Sequence, residues 1–143
     1  MNIKIKRIDK TLPLPKYETP GSVAFDLYSR EDVEIAPQSI GFAPSNLIIK
    51  TPPEHVLIVA SRSSTPKRKG LIIAQGIGII DQDYCGEEDE IILQFYNFTS
   101  EVVKIEKGER IGQALFMKIS KAEWEESESM EEQSRGGYGS TGY

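Results

Sequence analysis

Gly78-Ile-Ile-Asp-Gln-Asp-Tyr-Cys-Gly-Glu87 is an apolar, strand-like run that ends in two carboxylates, an aromatic hydroxyl and a glycine turn. Side chains of an extended chain alternate between faces. Asp81 and Asp83 would therefore share one face, and Gln82 and Tyr84 the other. A turn directly after Asp81 breaks that parity and lets Asp81 and Tyr84 line one pocket. The same residues also read as a plain hairpin exit, since Asp and Gly are ordinary turn formers.

Working outward, strand signals recur at short intervals over 2–8, 22–28, 32–35, 39–50, 55–60, 71–73, 77–80, 90–98, 102–105 and 110–119. Turn pairs such as Pro20-Gly21, Pro52-Pro53, Lys69-Gly70, Cys85-Gly86 and Lys107-Gly108 separate them. This punctuation predicts an all-β chain, an antiparallel sandwich or barrel of the jelly-roll kind. Helical periodicity is weak, and residues 60–68 allow about one turn. No internal repeat is present.

The chain has 143 residues, 38% of them hydrophobic and 27% charged, the profile of one soluble globular domain. No apolar run reaches the length of a membrane span, and Met1–Ile8 alternates apolar and basic residues like an edge strand rather than a secretory leader. The single cysteine, Cys85, excludes an intramolecular disulfide and suits a reducing compartment, so a cytoplasmic location is expected. The net charge of −5 is localised: residues 121–132 hold six glutamates against Lys121, and the remaining 16 basic and 16 acidic residues balance. Such a body lacks the basic face that a nucleic-acid polymer requires.

Residues 1–120 accordingly read as the β domain, and 121–134 as an acidic flexible tether. Residues 135–143, Arg-Gly-Gly-Tyr-Gly-Ser-Thr-Gly-Tyr, contain four glycines and no aliphatic residue. That composition suits a disordered tail. It equally suits a mobile arm in which glycine amides wrap an anion, Arg135 supplies a fork of donors and Tyr138 a stacking face.

Taken in order, these segments resemble the trimeric deoxyuridine triphosphatase (dUTPase) family over nearly the whole chain. Five motifs carry the resemblance: Ser22-Val-Ala-Phe-Asp-Leu-Tyr-Ser29, Ala60-Ser-Arg-Ser-Ser-Thr65 through Lys69-Gly70, Gly78–Glu87, Lys107-Gly-Glu-Arg-Ile-Gly-Gln113, and Arg135-Gly-Gly-Tyr-Gly-Ser-Thr-Gly142. Each alone is a weak string; all in order are specific. The resemblance implies a distorted jelly-roll, or β-clip-type, barrel with a flexible C-terminal arm. It also implies hydrolysis of dUTP to dUMP and pyrophosphate by in-line attack of water on the α-phosphorus.

By motif position Asp81 is then the base that activates the water, and Tyr84 packs on the deoxyribose and leaves no room for a 2′-hydroxyl. Arg62, Ser63, Ser64 and Gln113 are expected on the phosphates, while a Ser-rich turn before a helix also reads as a cap. Gln75 and Gly78 belong to the hairpin whose backbone reads uracil. Asp83 is expected to support the site through an ion pair with a base such as Arg62. Asp26 matches an acid that reaches Mg²⁺ through water, a cation that keeps several waters and prefers phosphate oxygens. In the arm, Arg135 is expected on the γ-phosphate, Tyr138 on uracil, and Gly139, Ser140 and Thr141 as backbone donors. The family assembles as homotrimers with sites shared between subunits. There are departures: Ala24 replaces a usual Gly, Gln75 a usual Asn, Cys85 a usual Arg, and the Arg135–Tyr138 spacer is shorter than is typical. The rivals are a dCTP deaminase of the same fold, alone or bifunctional, and a non-catalytic nucleotide-binding or signalling protein.

Overall fold

Eleven short strands and one helical turn follow from that punctuation in the computed structural model, which describes residues 1–137. In chain order they are β1 (Ile5–Arg7), β2 (Phe25–Tyr28), β3 (Val33–Ile35), β4 (Ile40–Pro44), β5 (Leu47–Ile49), β6 (His55–Ala60), α1 (Thr65–Lys69), β7 (Leu71–Ile73), β8 (Gly78–Ile80), β9 (Ile92–Asn97), β10 (Val103–Ile105) and β11 (Arg110–Lys118). All pairings are antiparallel, in sheets ordered β2-β11-β6-β8, β4-β9-β7, β1-β5 and β10-β3. The expected all-β, jelly-roll-type architecture is what the chain adopts. No helix among the described residues is long and apolar enough to cross a membrane.

The inward positions of these strands build one core. Leu27, Ile35, Leu57, Leu71, Leu93 and Phe95 are almost fully buried within it, and burying each such side chain contributes about 1.5–3 kcal/mol. The alternation is cleanest on β9, where Leu93, Phe95 and Asn97 point in while Ile92 and Gln94 are exposed. The central strand β6 lies between β11 and β8 and is covered on both faces, so it reads as a continuous apolar run.

Two local departures from the sequence reading have physical causes. The run 39–50 is two strands, because Asn46 adopts a left-handed backbone (φ 69°) that ends β4 and starts β5 in a new direction. Asn46 is held there by its side chain, which accepts from the Asp9 amide at 2.6 Å and donates to the Asp9 carbonyl at 2.9 Å. The helical turn begins later than the Ser-rich stretch. Ser64 occupies the N-cap position without a side-chain capping bond, and Gly70 ends the turn at φ 67° with its amide on the Pro66 carbonyl.

Beyond β11, residues 119–137 form no strand or helix and nearly all are exposed; Trp124 keeps 93% of its surface in solvent.

Candidate active site

One end of the large sheet gathers most of the residues expected on phosphate. Gln113 on β11 pairs with Asp26 on β2 on one side and with Ala60 on β6 on the other. Two residues past Ala60 the chain leaves the sheet, placing Arg62, Ser63 and Ser64 in the link to α1. Gln113 Nε2 donates to the Ser61 carbonyl at 3.1 Å and ties that link to β11. Ser63 is exposed and Ser64 partly so.

Asp26 organises this end. It is only 8% exposed, yet Arg62 Nε lies 3.0 Å from its Oδ1 and Arg110 Nη1 3.1 Å from its Oδ2. A buried carboxylate needs such partners, and Arg110 Nη1 also stands 3.8 Å from Glu18 Oε1, so two guanidiniums face two carboxylates here. Arg110 is the residue that sequence reasoning missed. Arg110 and Gln113 are three apart and would face opposite ways on a regular strand. The register shifts between Arg110 and Gly112, so Arg110 pairs with Tyr28 while Gln113 pairs with Asp26. On β2 those partners are two apart, and the bulge therefore brings both side chains to one face. Its one sequence signal is the glycine at 112, where a Cβ would fall 2.4 Å from Leu93 Cδ2.

The expected Arg62–Asp83 ion pair does not form. Arg62 is committed to Asp26, and no ion pair among the described residues involves Asp83. The reason is distance along the sheet. Leu57 pairs with Ile80 and Val59 with Gly78, so the chain at Asp81–Asp83 leaves the sheet at the far end of β6 from Arg62.

The second cluster lies along the β7–β8 hairpin and its exit. Gly76, at φ 84°, closes the turn by donating to the Ile73 carbonyl at 3.0 Å, leaving Gln75 exposed at the tip. Gly78 packs close to Val59, whose Cβ would lie 3.3 Å from a Cβ at that position. The chain turns immediately after β8, with the Tyr84 amide facing the Asp81 carbonyl at 3.4 Å. Asp81 and Tyr84 are both exposed on this turn; the turn expected after Asp81 forms, but the cleft beside Asp81 takes Asp83 and not Tyr84 into its lining. Tyr84 is held by its hydroxyl, which donates to the Glu90 carbonyl at 3.0 Å and leaves 40% of the residue open. Glu90 is itself fixed by Arg30 Nε at 3.0 Å and by the Asn46 amide at 2.7 Å. Bonding to Glu90 raises the Arg30 pKa above its ordinary value.

Asp81 continues β8 by one residue, level with Val56, and Val56 is four residues, or about 13 Å, from Ala60. The cleft beside Asp81 is lined by His55, Val56, Gln82, Asp83, Ile119 and Lys121, and none of the Asp26 cluster reaches it. Arg135 is exposed on the segment after β11. Tyr138, Gly139, Ser140 and Thr141 lie outside the described residues.

An all-β barrel that sets two guanidiniums, a serine link and an amide at one sheet end, and an acid–tyrosine turn on a nearby hairpin, has the makings of a nucleotide-binding protein. Comparison with known proteins gives it a family. The dUTPase family model matches residues 10–142. The deoxyuridine 5'-triphosphate nucleotidohydrolase of Dictyoglomus turgidum is 40% identical, over 99% of each chain, and that of Lactococcus lactis 39% identical, over 90% of this chain and 87% of the relative. The crystal structure of the Streptococcus mutans dUTPase superposes with a TM-score of 0.77 at 31% identity, covering 84% of this chain and 98% of that one. The Staphylococcus phage 80alpha dUTPase with dUPNHPP shares the fold, with a TM-score of 0.87 over 99% of both chains at 24% identity. The chain belongs to the dUTPase family.

Proposed function

We propose that this chain hydrolyses dUTP to dUMP and pyrophosphate. The observation that carries the reading is the ordered row Gln75, Gly78, Asp81 and Tyr84 along one hairpin and its exit turn, in a member of this family. Uracil meets the backbone near Gly78 and Gln75, the deoxyribose lies against the ring of Tyr84, and the α-phosphorus comes to Asp81. Asp81 accepts a proton from water as the water oxygen bonds to the α-phosphorus. The bond from that phosphorus to the α,β-bridging oxygen breaks, and pyrophosphate leaves. Positioning and charge compensation supply most of the acceleration in such a step. Arg62, Arg110, Ser63, Ser64 and Gln113 provide phosphate donors, and the Asp26 carboxylate holds the two guanidiniums in place. Arg135 adds a further cation, and residues 138–141 a closing arm over the base. In this reading residues 1–120 are the catalytic domain and 121–134 the tether that lets the arm travel.

Site polarity supports assembly. From Gly78 to Asp81 the hairpin runs away from the chain's own Arg62–Gln113 end, so the triphosphate of a nucleotide bound there points away from it too. A neighbouring copy supplies the phosphate donors when sites are shared in a homotrimer.

Magnesium enters with the substrate. The dUTPase of Staphylococcus aureus phage phi11 coordinates a structural Mg(II) ion. Among the described residues no three His, Cys, Asp or Glu side chains converge on a metal position, and both Asp26 oxygens already accept from guanidiniums. These residues fit an ion carried on the triphosphate oxygens, with Asp26 touching its water shell at most. When bound, the ion offsets phosphate charge. A reducing, cytoplasmic setting suits the free thiol of Cys85.

The test is pyrophosphate release from dUTP, dCTP, dTTP and UTP. Strong preference for dUTP is expected, with turnover falling at least about 100-fold in Asp81→Asn while nucleotide binding persists. Equal use of the four nucleotides, or a fully active Asp81→Asn, overturns the reading; ammonia release from dCTP assigns the deaminase instead.

A further inference from the structure

Where β4 passes into β5, a buried ion pair stands in for a missing rung of backbone hydrogen bonds. Ser45 N donates to the Ile91 carbonyl at 2.9 Å, and Ile91 N to the Leu47 carbonyl at 2.9 Å. Between them the left-handed Asn46 turns its amide to the Glu90 side chain instead, N to Oε1 at 2.7 Å. Arg30 Nε closes on the same carboxylate at 3.0 and 3.2 Å, and the Arg30 amide donates to the Pro44 carbonyl at 2.8 Å. Glu90 and Asn46 are 7% and 1% exposed. A carboxylate taken out of water destabilises unless it is paired, and apolar residues of similar volume often serve stability as well as such a pair does. Packing alone therefore does not account for it. What the pair fixes is the backbone of Glu90, and the Glu90 carbonyl is where the Tyr84 hydroxyl donates, at 3.0 Å.

We propose that Glu90, held by Arg30 and by the Asn46 amide, is the positioning residue that makes Tyr84 a rigid wall against the 2′-hydroxyl of a ribonucleotide. The inference rests on the proposed contact between Tyr84 and the deoxyribose, and adds the residues that set how strictly that contact selects. Exclusion by bulk is only as strong as the wall is stiff. A ring free to swing aside by the width of one oxygen admits UTP through a rotamer change alone. Tyr84 is 40% exposed and stands on a turn rather than in a strand, so packing leaves its ring much of that freedom. The bond from its hydroxyl removes it by tying the far end of the ring across the loop 84–90. That loop is braced a second time by the Gly86 amide, which donates to Asp89 Oδ2 at 2.6 Å. Arg30 follows β2, and Asn46 joins β4 to β5. Two segments remote in the chain from the hairpin therefore determine where the sugar wall stands.

The experiment measures kcat and KM for dUTP and for UTP in the full chain, with urea midpoints as a check on folding. The quantity read is the preference for dUTP, the ratio of the two kcat/KM values. Tyr84→Phe keeps the ring and loses the bond, and should lower that preference about 5-fold, the worth of one hydrogen bond, chiefly through a lower KM for UTP. Arg30→Gln should lower it in the same way. Glu90→Gln keeps an oxygen for the Asn46 amide and removes the charge that holds Arg30; it should act alike, and carries the test if Arg30→Gln does not fold. Ile105→Val, a change in the core on β10 away from this network, should lower the urea midpoint and leave the preference unaltered. An unchanged preference in Tyr84→Phe overturns the pinned wall. A preference lowered by Tyr84→Phe but untouched by Arg30→Gln and Glu90→Gln overturns the role of the ion pair. An equal fall in Ile105→Val also overturns it, because loss of stability would then suffice. An unaltered protein that uses UTP as well as dUTP overturns the underlying reading of Tyr84 instead.

Discussion

Asp26 shows how a single buried charge organises a site. Its carboxylate is 8% exposed, and each oxygen takes one guanidinium at about 3 Å. Breaking a well-buried pair costs about 3–5 kcal/mol. Arg62 and Arg110 are 29% and 42% exposed, so solvent screening reduces the expected loss for Asp26→Asn to about 1–3 kcal/mol, read as a lower urea midpoint. The same variant separates position from charge. Removing the carboxylate makes the site more positive, so dUTP KM falls if the arginines act only as charge; on the proposed reading, in which they act by position, KM is expected to rise. Asp9 gives a pH signature. The Lys107 ammonium, followed by the Thr11 hydroxyl and amide, holds its carboxyl well below the ordinary 3.8. A depressed carboxyl stabilises the fold above that ordinary value, and the contribution is lost as pH falls through the lower folded value. Asp9→Asn should therefore melt below the unaltered protein at pH 7, with the gap closing toward pH 2. The candidate residues Asp81, Tyr84, Arg62 and Gln113 could be singled out in the sequence because their neighbours form recognisable strings. Arg110's partner could not, since a contact between β2 and β11 spans more than eighty residues of chain and leaves no local trace.

Among the strands, β11 carries the most candidate phosphate-binding residues. It pairs with both β2 and β6 and carries Arg110 and Gln113 on one face by virtue of its bulge. Gly112 sits at that bulge with no room for a side chain, because an added Cβ would fall 2.4 Å from Leu93 Cδ2 and 3.1 Å from the Ala60 carbonyl. Leu93 is 1% exposed and has little room to yield. Gly112→Ala is expected to cost about 1–3 kcal/mol in thermal or urea unfolding. It should also weaken dUTP binding, since Arg110, Gln113 and, through Ser61, Arg62 all depend on that register. An unchanged KM in a destabilised variant would show that the bulge serves packing alone. Strand positions were readable from apolar runs between turn pairs. The break at Asn46 was not, because the left-handed backbone there is held by Asp9 and Glu90, residues distant in sequence. The bulge escaped for the same reason: a register exists only once two strands pair.

At the scale of the molecule, the separation of Asp81 from the Arg62–Gln113 end is the property that single-chain thinking misses. Level with Val56, Asp81 stands about 13 Å along β6 from Ala60, and on the proposed reading the hairpin directs a bound triphosphate away from the chain's own phosphate donors. If each site takes Asp81 from one copy and Arg62 from a neighbour, two inactive variants should restore each other. Asp81→Asn and Arg62→Ala, each inactive alone, are unfolded together at equal amounts and refolded as mixed assemblies. A site is intact only when its Asp81 donor and its Arg62 donor both carry the native residue, and random assortment gives that in about one quarter of sites. Activity near a quarter of the unaltered protein is therefore expected, appearing only after co-refolding and not on simple mixing of the two folded variants. A mixture that stays inactive places both residues in one chain's site, and the distance along β6 would then have to be closed by movement within the chain.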